Sequence, residues 1–295
     1  MTAFTFGDGD GEGGAGFWLR FNPCTREPKS WKEELYAAAR AIADMATKPI
    51  WVCFSGGIDS EVACQAFYDQ QIPFSVLTLE FEGGLNRQDI QYAIKWCQNR
   101  GVHQKIVPLD IASFLSADVA GYERYPAVHP FRYIQIRLME LVEGMGGYAV
   151  LCSGEQVYDV DRTKSVITRR DLFLPFSNGN IVPLEWCKDN ATSHEPYFHF
   201  RTPELCLSYM RLPLVDFALN NPEVLFRHWS NSYTFKRIVY QSVWTNLEIR
   251  YKRDGYEQIR PLIDASRDAL KEKFWPQYKE RNISVPEFER QLLGK

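Results

Sequence analysis

The feature that most constrains this fold is a run of small residues at positions 55–60, Ser-Gly-Gly-Ile-Asp-Ser. The apolar segment 50–54 precedes it, and the amphipathic stretch 61–68 follows it. This order predicts a buried strand, a tight loop and a helix. The chain is therefore expected to bring a short, flexible backbone segment to the edge of a sheet.

The residue types of this loop suit a phosphate group. Gly56 and Gly57 can adopt backbone angles closed to other residues and allow a ligand to approach the main chain. Ser55 and Ser60 add hydroxyl donors, and the following helix offers free N–H groups and the positive end of its dipole. Asp59 would repel an anion, so we interpret it as a partner of a Mg²⁺ ion that bridges the phosphates. The alternative is a tight strand-to-helix connection with serine caps.

The run at 55–60 resembles the pyrophosphate loop of the N-type ATP pyrophosphatases, a superfamily that includes asparagine synthetase, deazaguanine synthases and tRNA-modifying enzymes. The resemblance implies that ATP is split between its α and β phosphates and that AMP is placed on a substrate oxygen. It also implies ATP and Mg²⁺ as cofactors and a parallel sheet with helices on both faces. The nucleotide-binding residues expected on this basis are Phe54, Ser55, Gly56, Gly57, Ile58, Asp59, Ser60, Thr78, Leu79 and Gly154.

A second strand-then-turn pattern lies at residues 148–155 and ends in Ser153, Gly154 and Glu155. If its strand is parallel to the first, Glu155 emerges at the same rim as the phosphate loop. The turn resembles the asparagine synthetase branch, although Asp159 does not fall at the spacing used there. We expect Glu155 to be a Mg²⁺ partner or general base, and the alternative is a solvated loop carboxylate.

Basic residues follow closely, among them Lys164 and Arg170. Near a triphosphate, such side chains could neutralise the departing pyrophosphate. We therefore name Lys164 and Arg170 as candidate catalytic residues, beside Asp59 and Glu155. The alternative is a solvated charged loop.

Composition sets outer limits on function. The 295 residues include 34 basic and 37 acidic side chains, a net charge of −3, which is no signature of a general polyanion binder. No apolar run is long enough for a membrane span, so a cytoplasmic protein without a membrane partner is expected. The seven cysteines are scattered and none forms a Cys-x-x-Cys pair. That spacing argues against the zinc-bearing deazaguanine synthases and the cysteine-paired tRNA thiolases.

The predicted architecture is α/β, a doubly wound, mostly parallel sheet followed by a C-terminal helical region. Residues 1–16, rich in Gly and Asp, are expected to be a flexible arm, residues 17–185 the ATP-binding domain, and residues 186–295 mainly helical. In that last region basic residues such as Lys236 and Lys252 alternate with aromatic ones such as Tyr240. We interpret this as a helical domain with aromatic rings inward and charge outward. The alternative is an RNA-contacting face.

The functional prediction is an enzyme that adenylates a substrate and lets a nitrogen or sulfur nucleophile displace AMP. The chain starts Met1-Thr2, without the cysteine of an N-terminal glutaminase, so ammonia or a partner's amine would have to serve. Candidate partners are a small-molecule or nucleobase substrate, tRNA, and an amine or sulfur donor protein. Two alternatives remain: a non-catalytic ATP or AMP sensor, and a sulfonucleotide reductase-like protein, although no Glu-Cys-Gly motif lies near the C-terminus.

Overall fold

A computed structural model describes residues 3–8, 17–116, 121–122, 124–154, 156–160, 166–223, 232–247 and 256–295. The strands are β1 (Phe4–Asp8), β2 (Phe17–Phe21), β3 (Ile50–Cys53), β4 (Ser75–Phe81), β5 (Gln104–Leu109), β6 (Tyr148–Leu151), β7 (Asp159–Val160), β8 (Leu172–Ser177) and β9 (Glu280–Ser284). The helices are α1 (Trp31–Met45), α2 (Ile58–Asp69), α3 (Arg87–Arg100), α4 (Ile111–Ser116), α5 (Phe131–Gly144), α6 (Val182–Asp189), α7 (Pro203–Met210), α8 (Pro213–Asn220), α9 (Ser232–Val243), α10 (Tyr256–Phe274) and α11 (Val285–Leu293).

The central sheet is parallel, in the order β5-β4-β3-β6. Val52 of β3 is level with Val76 of β4 and Val150 of β6, and all three are fully buried in one hydrophobic cluster. The next residues along, Cys53 and Leu77, belong to a second cluster. Because side chains alternate along a strand, the sheet is buried on both faces.

Helices cover both faces. Residues of α1, α2 and α3 pack in the cluster that contains Val52. Residues of α4, α5 and α10 pack in the cluster that contains Cys53. The predicted α/β class, a doubly wound parallel sheet with helices on both sides, is confirmed.

The strand order reverses between β3 and β6. From β3 the chain moves outward through β4 and β5, and then it returns to place β6 on the other side of β3. In open sheets of this kind, ligands bind outside the carboxyl ends of the strands at such a switch point. The two segments that leave this point are residues 54–57 and 152–154.

An extra segment extends the sheet beyond β6. Glu195 N donates to the carbonyl of Ala149 at 2.8 Å, and Leu151 N donates to the carbonyl of Glu195 at 2.7 Å. The pairing is parallel to β6, as the bridge between Val150 and Glu195 shows. It directs the following turn, residues 198–200, back toward the carboxyl end of the sheet.

In the described part of the predicted N-terminal arm, the structure shows a strand instead of a flexible segment. Phe4–Asp8 is strand β1, antiparallel to β2, and Phe4 is buried. Gly7 allows this pairing, because a β-carbon there would meet the ring of Trp18 at 2.7 Å. The Gly and Asp content of residues 1–16 favours a flexible arm, whereas the alternating Phe4 and Phe6 favour a strand.

The C-terminal region contains helices, as predicted, and also β9, which pairs with β8 in the antiparallel sheet β7-β8-β9. The ring of Phe288 in α11 lies 4.5 Å, centre to centre, from that of Phe21 in β2. Residues on both sides of position 185 share the two hydrophobic clusters. The division into domains at that position remains a prediction.

In the parts of the chain that the structure describes, no helix combines the length and the apolar character that crossing a membrane requires.

Removing the ring of Phe288 tests whether α11 shares the core of the N-terminal strands. Phe288 is fully buried, so we expect Phe288→Ala to lower the free energy of unfolding by about 3–5 kcal/mol. Leu293→Ala in the same helix is the control, because Leu293 is 36% exposed and should lose far less. Urea unfolding followed by tryptophan fluorescence measures both, and equal losses would contradict the shared core.

His194 gives the protein a specific sensitivity to acid. Its Nδ1 accepts a hydrogen bond from Ala149 N at 3.1 Å, and burial lowers the pKa of the ring from 6.5 to about 4, although Glu143 opposes the shift. Below pH 6.5 the ring is protonated in the unfolded chain but still neutral in the folded protein. The folded state therefore keeps its full stability, as far as His194 is concerned, above pH 6.5 and loses stability as the pH falls toward 4. The loss amounts to at most about 3 kcal/mol. Urea unfolding at pH 7 to 4.5 should show a smaller decline for His194→Gln than for the wild type, and parallel declines would exclude this role.

Candidate functional site

Hydrogen bonds to β4, and through β4 to β5, fix the start of the segment that follows β3. Phe54 N donates to the carbonyl of Leu77 at 2.9 Å, and Thr78 Oγ1 donates to the carbonyl of Phe54 at 2.9 Å. Gln104 Nε2 in turn donates to Thr78 Oγ1 at 2.8 Å. Thr78 and the ring of Phe54 are fully buried, so both support the loop from within the core.

The loop then turns sharply at Gly56. Its φ of +88° lies in the left-handed region that favours glycine. A β-carbon at this position would also lie 1.9 Å from the carbonyl oxygen of Asp89, in the first turn of α3. Gly56 is therefore required by packing as well as by backbone angle, a constraint that the sequence pattern did not reveal.

Helix α2 begins within the run of small residues, so Asp59 and Ser60 lie in its first turn. Its N-cap is Gly57, which has no side chain to satisfy the N–H groups at the helix start. Ser55 Oγ lies 3.3 Å from Ser60 Oγ and accepts from Gly57 N at 3.3 Å, while Ser60 Oγ donates to the carbonyl of Gly57 at 2.9 Å. Two hydroxyls and a helix N-terminus thus meet at one point, the arrangement that binds phosphate.

The carboxylate of Asp59 is held by helix α9 from the other end of the chain. Lys236 Nζ lies 3.1 Å from Oδ2 and 3.3 Å from Oδ1, and the hydroxyl of Tyr240 donates to Oδ1 at 2.7 Å. The side chain of Lys236 is only 6% exposed, so its positive charge is buried beside the loop. A buried cation is strongly disfavoured without an anionic partner.

The approach of α9 depends on aromatic packing. The ring of Tyr240 lies 4.9 Å from that of Trp31 and 6.4 Å from that of His199, with which it is stacked. Tyr240 and Trp244 are buried, as the interpretation with aromatic rings inward predicted. Lys236 does not fit that interpretation, because its charge faces inward to Asp59. The spacing Lys236–Tyr240, one helical turn, was the signal that could have identified the pair.

The turn after β6 has the same form as the turn after β3. Gly154 has a φ of +89°, and a β-carbon there would lie 2.8 Å from the ring of Phe200. His199 N donates to the carbonyl of Ser153 at 3.0 Å, and His199 Nε2 lies 3.1 Å from the carbonyl oxygen of Asp59. His199 therefore links the two turns, and Gly154 comes to the same rim as Gly56.

The remaining predicted residues divide into three groups. Glu155 and Lys164 lie outside the described residues. Arg170 is exposed and lies beside α11, and no described contact joins it to the loop. Ile58 is buried at the start of α2, and Leu79 is buried with its carbonyl accepting from Asn86 Nδ2 at 2.9 Å. The predicted roles of Leu79 and Thr78 at an adenosine, and of Arg170 in catalysis, remain predictions.

The described residues do not fit a Mg²⁺ ion at Asp59 as they stand. Both carboxylate oxygens already have donors, and one donor is the ammonium of Lys236. The described residues also include no group of three or more His, Cys, Asp and Glu side chains that could hold a metal ion. The assignment of Asp59 and Glu155 to Mg²⁺ remains a prediction, and at this point of the site the cation is Lys236.

Comparison with known proteins finds structural likenesses of low similarity and no match in sequence. No protein-family model matches the sequence, and no curated protein matches it either. An NH3-dependent NAD synthetase from Campylobacter jejuni is similar in structure at a TM-score of 0.34 and 17% identity, over 43% of this chain and 58% of that one. An NMN synthetase from Francisella tularensis is similar at a TM-score of 0.32 and 18% identity, over 41% of this chain and 54% of that one.

Gly56→Ala should be far more harmful than the same change at another left-handed glycine. Gly83 has a φ of +74° but no atom within 4 Å of an added β-carbon, so Gly83→Ala measures backbone strain alone, about 1–2 kcal/mol. Gly56→Ala adds the clash with Asp89, about 1–3 kcal/mol more. Thermal and urea unfolding of the two variants give the comparison, and equal destabilisation would show that the packing of α3 on the loop is not tight.

Proposed function

We propose that this protein is an ATP-dependent enzyme that cleaves ATP to AMP and pyrophosphate, adenylates a substrate oxygen, and then lets a nitrogen or sulfur nucleophile displace AMP. The observation that carries the proposal is the meeting of three elements at the switch point of the sheet. These are the N-terminus of α2, the hydroxyls of Ser55 and Ser60, and the buried ammonium of Lys236 at Asp59. Together they form a site for a polyphosphate.

The chemistry assigned to this site is a displacement at phosphorus. A carboxylate or carbonyl oxygen of the substrate attacks the α phosphorus, the bond from that phosphorus to the bridging oxygen breaks, and its electron pair leaves with pyrophosphate. In the resulting adenylate the substrate oxygen is bonded to AMP, and AMP is a better leaving group than the original oxygen. An incoming amine or thiol nucleophile then attacks the activated carbon, and AMP departs.

The residues of the chain would act by binding charge. The N–H groups at the start of α2 and the two serine hydroxyls would hold phosphate oxygens, and Ser60 would exchange its bond to Gly57 for one to the ligand. Lys236 would extend from Asp59 to the departing pyrophosphate. Asp59, with Tyr240, would keep the ammonium at the loop when no nucleotide is bound.

A nucleotide sensor is the second candidate, and one observation favours it. Asp59 is fully engaged by Lys236 and Tyr240, so the cluster has a stable arrangement that needs no reaction. A sensor would bind ATP or AMP at the same loop and leave it intact.

The test is incubation with ATP labelled at the α phosphate, in a Mg²⁺ buffer with ammonium, small metabolites and tRNA, followed by separation of the nucleotides. We expect AMP and pyrophosphate, and a rate at least about 100-fold lower for Asp59→Asn and Lys236→Met, because each removes charge from the loop. ADP and phosphate would overturn the proposal. Tight ATP binding without turnover would favour the sensor.

Two variants serve as matched controls. Asp69→Asn changes another aspartate of α2, which also accepts from a tyrosine hydroxyl, that of Tyr36 at 2.5 Å. It lies ten residues along the helix, about 15 Å from Asp59. Lys48→Met removes the lysine of an exposed ion pair with Glu143. Both controls should retain turnover.

A further inference from the structure

A cavity of about 450 Å³ lies at the carboxyl end of β6, beside the phosphate loop. Ser153 and Gly154 form part of its wall, and the link from Ser153 through His199 to Asp59 joins that wall to the loop. Its volume suits a small organic ligand. A ligand held here would lie next to the predicted position of the triphosphate.

Aromatic side chains form much of the wall, beside a polar side. The aromatic rings among them belong to Phe4, Phe131, Phe176, Tyr197 and Phe200. The rings of Phe176 and Phe200 are 5.8 Å apart, as are those of Phe4 and Tyr197. Such walls favour a flat or ring-sized apolar body.

Of the described residues that line the cavity, Arg132 alone carries a permanent charge. No carboxylate among the described residues pairs with it; its Nη1 donates instead to Gln135 Oε1 at 3.1 Å. Gln135 Nε2 donates to Ser153 Oγ at 2.5 Å, which fixes the position of the amide. One end of the guanidinium is thus oriented, and its other N–H groups suit a planar, two-oxygen anion.

Two neighbours of Arg132 complete this polar corner. The hydroxyl of Tyr197 is buried and has no hydrogen-bond partner among the described residues. Burial raises the pKa of that hydroxyl and Arg132 opposes the rise, so the phenol is neutral and within electrostatic reach of the guanidinium. Burial, with help from Arg132, lowers the pKa of His129 to about 4, so the imidazole is also neutral. A buried donor without a partner is costly, and a ligand oxygen would satisfy it.

We infer that this cavity binds the acceptor substrate, and that the acceptor is a small organic acid whose carboxylate contacts Arg132 and Tyr197 while its apolar, ring-sized body lies between the aromatic walls. The role of the ligand as acceptor rests on the proposed function, whereas its recognition through a carboxylate rests on the cavity alone. A phosphate group is disfavoured, because a single guanidinium and neutral donors match the charge of one carboxylate.

The experiment measures binding of paired acids and amides by calorimetry: benzoate with benzamide, phenylacetate with phenylacetamide, and indole-3-acetate with indole-3-acetamide. We expect at least one acid to bind the wild-type protein about 10-fold or more tightly than its amide, the size of a charged hydrogen bond. Arg132→Gln should abolish that preference. Arg137→Gln, on the same helix but paired with Glu140, should retain it.

Tyr197→Phe separates ligand recognition from a structural role. It removes a hydroxyl that has no described partner, so the Tm should not fall, while the affinity for the acid should drop several-fold. A lower Tm with unchanged affinity would overturn the assignment of Tyr197. Equal binding of every acid and its amide, or a preference that survives Arg132→Gln, would overturn the inference as a whole.

Binding of α,β-methylene-ATP to the wild type and to Arg132→Gln keeps the two proposals distinguishable. Equal nucleotide binding by both, together with loss of acid binding in the variant, supports the cavity as a separate acceptor site. Acid binding without any nucleotide binding would remove the proposed function and leave the carboxylate site standing. Nucleotide binding without acid binding would remove the carboxylate site and leave the proposed function standing.

Discussion

The pairing of β3 with β6 is the constraint on which the rest of the site depends. From β3 the chain continues to β4 on one side of the sheet, and β6 lies beside β3 on the other side, so the turns that follow β3 and β6 are neighbours at the switch point. Both turns contain a left-handed glycine, Gly56 and Gly154, and each glycine is packed so closely that a β-carbon would clash. Neither glycine leaves room for a side chain, so both turns stay compact at the switch point of the sheet, where open sheets of this kind bind ligands.

Charge at this crevice comes from a distant part of the chain. Helix α9 places Lys236 and Tyr240 on Asp59, and the aromatic packing of Tyr240 against Trp31 holds the helix there. Since a buried ammonium needs a partner, Asp59 and Lys236 stabilise each other's position. In the proposed function a polyphosphate would offer Lys236 a second and more highly charged partner, so the loop and α9 would respond together to the nucleotide.

Next to that charged centre lies a cavity of a different character. Its aromatic walls and single guanidinium at Arg132 contrast with the hydroxyls and helix N-terminus of the loop. The two regions share the segment that extends the sheet beyond β6, through His199. The proposed site for a phosphate chain and the proposed site for an organic acid are thus adjacent but chemically distinct, which suits the proposed reaction of a nucleotide with an acid.

The sequence by itself determined the α/β class, the parallel sheet and the position of the loop, because these follow from local patterns: apolar strands, helical periods and a glycine turn between them. It could not indicate that α2 is buried at every residue from 60 to 67, since that depends on packing by distant elements. Nor could it assign Lys236 to Asp59, 177 residues away, or gather Arg132 and Tyr197 at one cavity. Only the tertiary structure decided these contacts, because the register of the sheet and the packing of aromatic rings bring together side chains that no local pattern relates.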